Sequence, residues 1–242
     1  MGMREQLMQE TAGIGVTLND RQIEQFEQYF AILTEWNQVM NLTAITEEKE
    51  VVTKHFTDSL ALVKAMPKEE LEEGRTLIDV GTGAGFPGIP LKIAFPNLKV
   101  TLLDSLNKRV KFLNTVCEEL GLEGVEAVHG RAEDFGQNPK YREQYDLCVS
   151  RAVANMASLS EYCVPFVKVG GYFIPYKSGD VEEELKKAEK AIKLLGGTLC
   201  GVSKFSLPGG DGERSLIKIR KEKATGKRYP RKAGLPAKEP LV

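Results

Sequence analysis

Thr76-Leu-Ile-Asp-Val-Gly-Thr-Gly-Ala-Gly-Phe-Pro-Gly88 is the stretch of this 242-residue chain that decides its fold. It runs from a short apolar segment, typical of a buried β-strand, directly into a glycine-rich turn. In α/β folds with a parallel sheet, such a turn brings backbone N–H groups against a nucleotide-like cofactor. The stretch therefore predicts a doubly wound α/β domain with a cofactor at the end of its first strand.

Two cofactor classes fit the spacing of these glycines. Asp79-x-Gly81-x-Gly83-x-Gly85 fits the loop that binds S-adenosylmethionine (AdoMet). Gly83-x-Gly85-x-x-Gly88 fits the dinucleotide fingerprint, which is a weak motif when it stands alone. In a dinucleotide site the next helix faces a pyrophosphate, whereas an AdoMet site holds no phosphate. The loop alone leaves both readings open.

Strand and helix patterns alternate after residue 76. The expected strands are Thr76–Val80, Lys99–Asp104, Val125–His129, Asp146–Arg151, Tyr172–Tyr176, Thr198–Leu207 and Ser215–Arg220. The alternation predicts five parallel strands, and the short connection between the last two strands permits only an antiparallel hairpin. This seven-stranded, mostly parallel α/β sheet is typical of Rossmann-like class I AdoMet-dependent methyltransferases rather than of dinucleotide dehydrogenases. It favours AdoMet as the cofactor.

The first 70 residues are predicted to form a helical cap on this domain. Asn19 is placed to cap a helix, with Gln22 completing a capping box. A second helix is expected from about Glu47 to Met66. The predicted division is a cap over 1–70, a methyltransferase domain over 71–222 and a basic tail over 223–242.

The net charge of −1 hides an asymmetry between the two ends of the chain. Residues 1–50 hold nine acidic and three basic side chains, whereas Lys218 to Lys238 hold nine basic and one acidic. A basic tail favours a polyanionic partner, but a solvated, partly disordered terminus explains the composition equally well. The four cysteines lack paired spacing and the apolar runs are too short to cross a bilayer. We therefore expect a cytoplasmic protein that makes no membrane contact.

Other candidate cofactor residues follow the second and third strands. Asp104 closes the second strand, where a carboxylate can accept hydrogen bonds from ribose hydroxyls or cap the next helix. Ala132-Glu133 follows the third strand and would suit adenine, although Glu133 could equally cap a short helix. Together with Gly81 and Gly83, these residues form the expected cofactor site.

The end of the fourth strand limits the methyl acceptor. It lacks the Asn/Asp-Pro-Pro-aromatic run of exocyclic-amine methyltransferases. The chain also has no Pro-Cys pair for carbon-5 pyrimidine methylation, and Cys148 lies inside a strand. The acceptor is therefore expected to be an atom that is already nucleophilic. His55 and His129 have no ligand cluster around them in sequence, so no metal site is predicted, and His55 fits a packed or capping group better than a base.

Seven motifs carry a resemblance to one bacterial family. They are Asn41-Leu-Thr-Ala-Ile, His55-Phe-Thr-Asp-Ser-Leu, the loop from Gly81 to Leu91, Arg131-Ala-Glu, Ser150-Arg-Ala, Pro175-Tyr-Lys and Arg228-Tyr-Pro-Arg-Lys-Ala-Gly. The chain resembles, over nearly its whole length, the ribosomal RNA small subunit methyltransferase G family, also called glucose-inhibited division protein B. The resemblance implies AdoMet-dependent methylation of N7 of one guanosine in 16S rRNA or a small-subunit precursor. We expect a monomer.

The resemblance also implies roles for single residues. Gly81, Phe86, Ala132, Glu133 and Arg151 match its AdoMet positions, and Arg151 and Lys177 are the candidate catalytic residues. The candidate RNA contacts are Asn41, His55, Asp58, Arg214, Arg228, Tyr229 and Arg231. Guanine N7 carries a free lone pair, so catalysis needs positioning rather than a base. Tyr229 is expected to stack on a base, and truncation after Lys221 is expected to weaken RNA binding without changing AdoMet affinity.

Overall fold

The computed structural model describes residues 1–151, 153–210 and 212–241. Its centre is a seven-stranded sheet with the spatial order β3-β2-β1-β4-β5-β7-β6. The strands are β1 (Thr76–Val80), β2 (Lys99–Asp104), β3 (Val125–His129), β4 (Tyr145–Arg151), β5 (Val167–Ser178), β6 (Gly197–Ser206) and β7 (Glu213–Lys221). The first five strands are parallel, and β7 is antiparallel to both of its neighbours. The predicted fold class is confirmed.

Helices cover both faces of this sheet. They are α1 (Met3–Gly13), α2 (Asp20–Met40), α3 (Glu48–Val51), α4 (Asp58–Leu60), α5 (Lys68–Glu72), α6 (Gly88–Ala94), α7 (Asn107–Glu119), α8 (Ala132–Phe135), α9 (Met156–Cys163), α10 (Glu182–Leu194) and α11 (Leu235–Lys238). No helix within the described ranges is long and apolar enough to cross a membrane.

Alternate residues of each central strand enter different cores. Leu77 of β1 packs with α2, α6 and α7 on one face of the sheet. Its neighbour Ile78 packs with α9 and α10 on the other face. Because both faces are covered, β1 and β2 read as continuous apolar runs, which is why the sequence predicts them to the residue.

The strand order reverses beside β1. The chain passes from β1 to β2 on one side and later reaches β4 on the other side, with Leu77 paired to Val100 and to Leu147. In open α/β sheets, ligands bind at such a switch point, outside the carboxyl ends of the strands. The glycine loop between β1 and α6 lies at this position.

The two predicted N-terminal helices are present. The Asn19 side chain accepts from Gln22 N–H, and the Gln22 side chain accepts from Asn19 N–H, so the predicted capping box is confirmed. The second helical stretch runs from α3 through a π-helical turn (Val52–Thr57) and α4 to a 3-10 turn (Ala61–Lys64). We call it helix 48–64. Both helices share one core with the sheet, and the domain boundary near residue 70 stays a prediction.

The main difference from the predicted strands concerns β5. It begins at Val167, five residues before the predicted start at Tyr172. Gly170-Gly171 lies inside it, and the register with β4 shifts between Tyr145 and Leu147. A Gly-Gly pair is typical of a turn, so the sequence indicates a strand only after it.

The C-terminal segment (residues 223–241) is fixed against the domain. The Arg142 guanidinium donates to the carbonyl oxygens of Thr225 at 2.6 Å and Tyr229 at 2.7 Å. The Lys221 ammonium donates to Thr225 Oγ1 at 2.6 Å and Val164 O at 2.9 Å. The alternative of a partly disordered terminus is therefore wrong for this segment, since Arg142 satisfies its backbone carbonyls and the buried Lys221 holds the Thr225 hydroxyl.

Candidate active site

Two clefts open at the carboxyl ends of the central strands. The first, of about 320 Å³, is the β1–β3 cleft, to which Gly81, Ser105, Ala132, Glu133 and Gly234 contribute. The second, of about 440 Å³, lies between helix 48–64 and the ends of β4 and β5. It is lined by Ile45, Lys54, His55, Asp58, Arg151, Tyr176, Lys177, Ser178 and Arg214. We call it the basic cleft, because four Lys and Arg side chains line it against one Asp.

A larger cleft lies at the carboxyl end of β6, and none of its described lining residues belongs to β1–β5. Its volume is about 680 Å³, and it separates α1 from the connection between β6 and β7. None of the described residues that line it belongs to the glycine loop. Volume alone therefore does not mark the active site here.

Two glycines of the loop serve different purposes. Gly81 has a φ of +71°, and a Cβ there would lie 2.7 Å from Cγ2 of Val153. A Cβ at Gly88 would overlap Cδ2 of Leu102 on β2. Gly81 therefore lets the backbone line the β1–β3 cleft, whereas Gly88 lets α6 pack closely on the sheet.

Asp79 holds the loop together from below. Its Oδ2 accepts from Thr82 Oγ1 at 2.6 Å and from Gly88 N–H at 2.9 Å. The side chain is fully buried, and burial raises its pKa to about 6. Asp79 is a loop-positioning residue that the site prediction omitted, although it begins the glycine pattern.

Asp104 connects the second strand to the same loop. Its Oδ2 accepts from Gly83 N–H at 2.9 Å, and its Oδ1 accepts from Leu106 N–H at 2.9 Å. Arg109 adds an ion pair at 3.4 Å. The carboxylate is buried by these partners, so the exposed neighbour Ser105 is the residue that reaches the β1–β3 cleft at this strand end. The predicted ribose contact of Asp104 stays a prediction.

The turn after β3 contacts the C-terminal segment. Ala132 and Glu133 begin α8 and both line the β1–β3 cleft. The Glu133 side chain is buried, and its Oε1 accepts from Gly234 N–H at 2.8 Å. The sequence allows Glu133 to be either an adenine contact or a helix cap. It does not indicate the hydrogen bond from Gly234 N–H.

Arg151 ties the end of β4 to helix 48–64. Its NH1 donates to Asp58 Oδ2 at 2.6 Å and to Lys54 O at 3.1 Å. Its NH2 lies 3.3 Å from His55 Nδ1, and its guanidinium lies 5.2 Å from the centre of the Phe86 ring. Arg151 is therefore held rigidly at the edge of the basic cleft.

His55 is kept neutral by its surroundings. Burial and the Arg151 charge lower its pKa to about 3. Its ring stacks on Phe86 with a centroid distance of 4.4 Å, and its Nε2 lies 2.8 Å from Thr43 Oγ1. Its packing agrees with the packed role that the sequence favoured. Thr43 is a neighbour that the site prediction missed, although it lies in the quoted motif from Asn41.

Asp58 is the acidic member of the basic cleft. It is buried, and Arg214 Nε lies 3.4 Å from its Oδ1. Within the described residues, Oδ1 has no hydrogen-bond partner. Because burying an acceptor without a hydrogen bond costs free energy, this oxygen is a candidate for a donor on the substrate.

Lys177 lines the opposite side of the same cleft. Its ammonium donates to Ala154 O and to Glu184 Oε1, each at 2.7 Å. The structure thus brings together five of the predicted residues, namely His55, Asp58, Arg151, Lys177 and Arg214.

Four predicted RNA residues lie outside both clefts. Asn41 ends α2 in the left-handed conformation and is exposed. The Arg228 guanidinium is exposed and lies 4.8 Å from the centre of the Tyr229 ring. Tyr229 itself is only 5 % exposed and belongs to the core, so its expected stacking on a base is corrected. Arg231 forms a bidentate ion pair with the buried Glu161, and its predicted RNA contact stays a prediction.

The sheet decides between the two cofactor readings. A dinucleotide fold continues its sheet with parallel strands, whereas β7 here is antiparallel. A Bacillus cereus O-methyltransferase solved with SAH superposes with a TM-score of 0.55 over 81 % of this chain and 91 % of that chain. Its sequence is 16 % identical, so the likeness concerns the fold alone. The fold and the glycine loop at the switch point define a Rossmann-like, AdoMet-dependent methyltransferase.

The sequence comparisons narrow this class to one family. The family described as rRNA small subunit methyltransferase G matches residues 22–216. The chain belongs to that family. A ribosomal RNA small subunit methyltransferase G from Lachnoclostridium phytofermentans is 57 % identical and spans 95 % of this chain and 93 % of its own length. The one from Brevibacillus brevis is 53 % identical and spans 99 % of both.

The β1–β3 cleft fits AdoMet. Its size lies in the range of small-ligand sites. The backbone comes close to the cleft at Gly81, where a Cβ would be crowded by Val153. The Ser105 hydroxyl and the Ala132-Glu133 turn add polar groups to the cleft. These residues would hold the cofactor.

Proposed function

We propose that this protein methylates N7 of one guanosine in 16S rRNA, using AdoMet, and that it does so as a monomer in the cytoplasm. One observation carries the proposal. The glycine loop of the β1–β3 cleft and the basic cleft lie on either side of Arg151 and Val153 at the end of β4. A cofactor in the first cleft and a nucleotide in the second would approach each other there.

The basic cleft suits an RNA segment. It is lined by Lys54, Arg151, Lys177 and Arg214 against the single carboxylate of Asp58. Neutralising phosphates with such side chains supplies most of the sequence-independent affinity for nucleic acid. A guanine must also be unpaired to enter a pocket, because single-stranded RNA exposes its base edges. We propose that Lys177 and Arg214 contact the phosphates that flank the target guanosine.

The chemistry of the cleft suits N7 as the acceptor. AdoMet supplies an electrophilic methyl group on a sulfonium when it is bound. Guanine N7 has a lone pair in the ring plane, so no proton has to leave before the new bond forms. His55 has a pKa of about 3 and is packed against Phe86, so it is not poised as a base near pH 7. Positioning of the two reactants then supplies the rate enhancement.

We propose that Asp58 recognises the guanine. Its Oδ1 lacks a hydrogen-bond partner among the described residues, and guanine offers donors at N1–H and the N2 amine. Methylation places positive charge on the base, so a hydrogen bond from N1–H to a carboxylate strengthens as the reaction proceeds. An interaction that is stronger in the transition state raises the rate as well as the affinity.

The cofactor contacts are proposed for the predicted residues that line or shape the β1–β3 cleft. Gly81, Ala132 and Glu133 line it directly. Gly83 N–H donates to Asp104 Oδ2 next to the cleft. The Phe86 ring packs against the Arg151 guanidinium. Asp104 therefore acts on AdoMet through the loop backbone and the adjacent Ser105.

The decisive experiment is methyl transfer with site mapping. The protein is incubated with methyl-labelled AdoMet and either naked 16S rRNA or small ribosomal subunits, and the labelled nucleotide is identified by mass spectrometry. We expect one 7-methylguanosine. Label on another atom, or no transfer to either substrate, would contradict the proposal. Arg151→Ala should remove transfer, while Lys190→Ala on α10, away from both clefts, serves as a control for handling.

A further inference from the structure

The C-terminal segment reaches the β1–β3 cleft. Gly234 lines this cleft, and its N–H donates to Glu133 Oε1 at 2.8 Å. Glu133 lies on the turn after β3, at the end of the cleft assigned to adenosine. A segment that the sequence indicates only as a basic tail is therefore part of the cleft wall.

An ion pair fastens the segment just before Gly234. Arg231 Nε donates to Glu161 Oε1 at 2.9 Å, and its NH2 donates to Oε2 at 2.7 Å. The backbone N–H of Arg231 also donates to Oε1 at 2.8 Å. Glu161 lies on α9 and is fully buried. Bidentate Arg–carboxylate pairs fix geometry as well as charge, so this contact sets the path of the chain.

A second attachment follows Gly234. Ser158, also on α9, donates from its hydroxyl to Pro236 O at 2.7 Å. The cleft wall at Gly234 is thus held on both sides by the same helix. Because α9 also packs on β4 and α10, the wall is anchored to the body of the domain.

We propose that the C-terminal segment forms the outer wall of the adenosine end of the cofactor cleft, and that Arg231 is its positioning residue. The proposal rests on the assignment of AdoMet to the β1–β3 cleft. It replaces the expectation that the end of the chain serves RNA alone. Walls of this kind bury ligand surface and exclude water from its polar contacts.

Loss of the Arg231 contact is expected to weaken AdoMet binding. Without its partner, the Glu161 carboxylate is buried and uncompensated, which favours release of the segment. If the docked state falls to a tenth of the molecules, the apparent affinity for the cofactor falls about tenfold. Arg231→Lys keeps the charge but loses the planar fork, so an intermediate loss is expected.

Calorimetric titration of Arg231→Ala tests the proposal. AdoMet and 5′-methylthioadenosine, which lacks the amino-acid part, are each titrated into wild type and variant. We expect both ligands to weaken by the same factor, about tenfold. Lys232→Ala, an exposed neighbour on the same segment, is the matched control and should leave both affinities unchanged.

Three results with the alanine variants would overturn the inference. One is an unchanged AdoMet affinity in folded Arg231→Ala, checked by circular dichroism. Another is weakened AdoMet binding with unchanged methylthioadenosine binding, which would place the effect at the amino-acid end. The third is an equal loss in Lys232→Ala.

If Arg231→Ala does not fold, Arg231→Lys is measured in the same way, and an unchanged affinity for both ligands there would also overturn the inference. Failure of wild type to bind AdoMet would instead refute the cofactor assignment, and the mapped nucleotide is independent of these titrations.

Discussion

The Asp58 carboxylate is divided between two tasks. Its Oδ2 holds Arg151 at 2.6 Å, whereas its Oδ1 faces Arg214 at 3.4 Å without a hydrogen bond. Removal of the side chain therefore has two effects, loosening Arg151 and losing any contact with the base. A comparison of substrates separates these effects, because loosening Arg151 affects all substrates alike.

Inosine in place of the target guanosine isolates the contact with the N2 amine. Inosine lacks the N2 amine, so wild type should methylate it with kcat/KM reduced about tenfold or more. Asp58→Ala should be slow on both substrates, with a guanosine-to-inosine ratio near one. Steady-state kinetics on short RNA substrates measures the ratio. A ratio in the variant as large as in wild type would show that Asp58 does not read the amine.

His55 links pH to stability through its lowered pKa. The ring stays neutral in the folded protein down to a pH of about 3, whereas it takes up a proton near 6.5 in the unfolded chain. The unfolded state therefore binds more protons between these values. The stabilisation is fully present above 6.5 and is lost as the pH falls toward 3.

The expected result is a smaller acid sensitivity in His55→Phe. Wild type should lose about 2 kcal/mol more than the variant in its free energy of unfolding between pH 7.5 and pH 5. Urea unfolding at the two pH values measures this. Asp79, whose pKa is raised to about 6, has the opposite effect in part of this range, but it is common to both proteins. Equal pH dependence in the two proteins would contradict a depressed His55 pKa.

At the scale of elements, the glycine loop allows backbone strain to be separated from crowding. Gly81 and Gly83 have φ values of +71° and +63°. A Cβ at Gly81 would meet Val153, whereas a Cβ at Gly83 would meet nothing within 4 Å. An L residue would have the same backbone strain at both positions, but only at Gly81 would its Cβ also be crowded by Val153.

Gly81→Ala and Gly83→Ala should therefore differ in both stability and AdoMet affinity. Each loses about 1 kcal/mol for an L residue in the left-handed region. Gly81→Ala should lose more in thermal unfolding and should weaken AdoMet binding further, and adding Val153→Ala should restore part of both losses. Equal effects of the two single substitutions would mean that Val153 does not crowd the loop.

The sequence predicts the first three strands best, of which β1 and β2 are buried and β3 is only partly buried. The bounds of β1, β2 and β3 agree with the prediction to the residue, and Asn19 marks the start of α2. The start of β5 was missed because Gly170-Gly171 carries no strand signal. The π-helical turn Val52–Thr57 was also missed, although it lies in the stretch that carries His55 and leads into Asp58.

The candidate site was predictable where its residues are close in sequence and not where they are distant. The glycine loop and the ends of β2 and β3 are local in sequence, so their convergence could be predicted from the parallel sheet alone. Partners that are distant in sequence could not be predicted. Arg231 and Glu161 are 70 positions apart, and nothing in the basic composition of the tail indicates a buried carboxylate there. The burial of Tyr229 could not be predicted for the same reason, because its core neighbours are also distant in sequence.

For the whole molecule, the docked C-terminal segment divides the basic residues at this end of the chain into two groups. Arg231 and Lys221 are used internally, in contacts with Glu161 and Val164. Lys227 and Arg228 are exposed and remain available to RNA phosphates. We therefore expect any RNA contact of this segment to come from the exposed group.

The double variant Lys227→Ala, Arg228→Ala tests this division. If both side chains contact phosphates, the slope of log affinity for the RNA against log salt should fall in magnitude by about 1.4 to 1.8. AdoMet affinity should stay at the wild-type value. Filter binding across a salt series measures the slope. An unchanged slope would show that this face of the segment lies away from the RNA.

The position of Gly234 in the cleft wall determines when a newly synthesised chain can bind its cofactor. The ribosome makes residues 76–178, which contain all five parallel strands, before it makes residue 234. Domains begin to fold during synthesis, so the sheet can assemble on the nascent chain while its cleft lacks an outer wall. With the wall as proposed, cofactor capture is a late event in the life of each molecule. A chain released before Arg231 would have a folded sheet that retains AdoMet poorly.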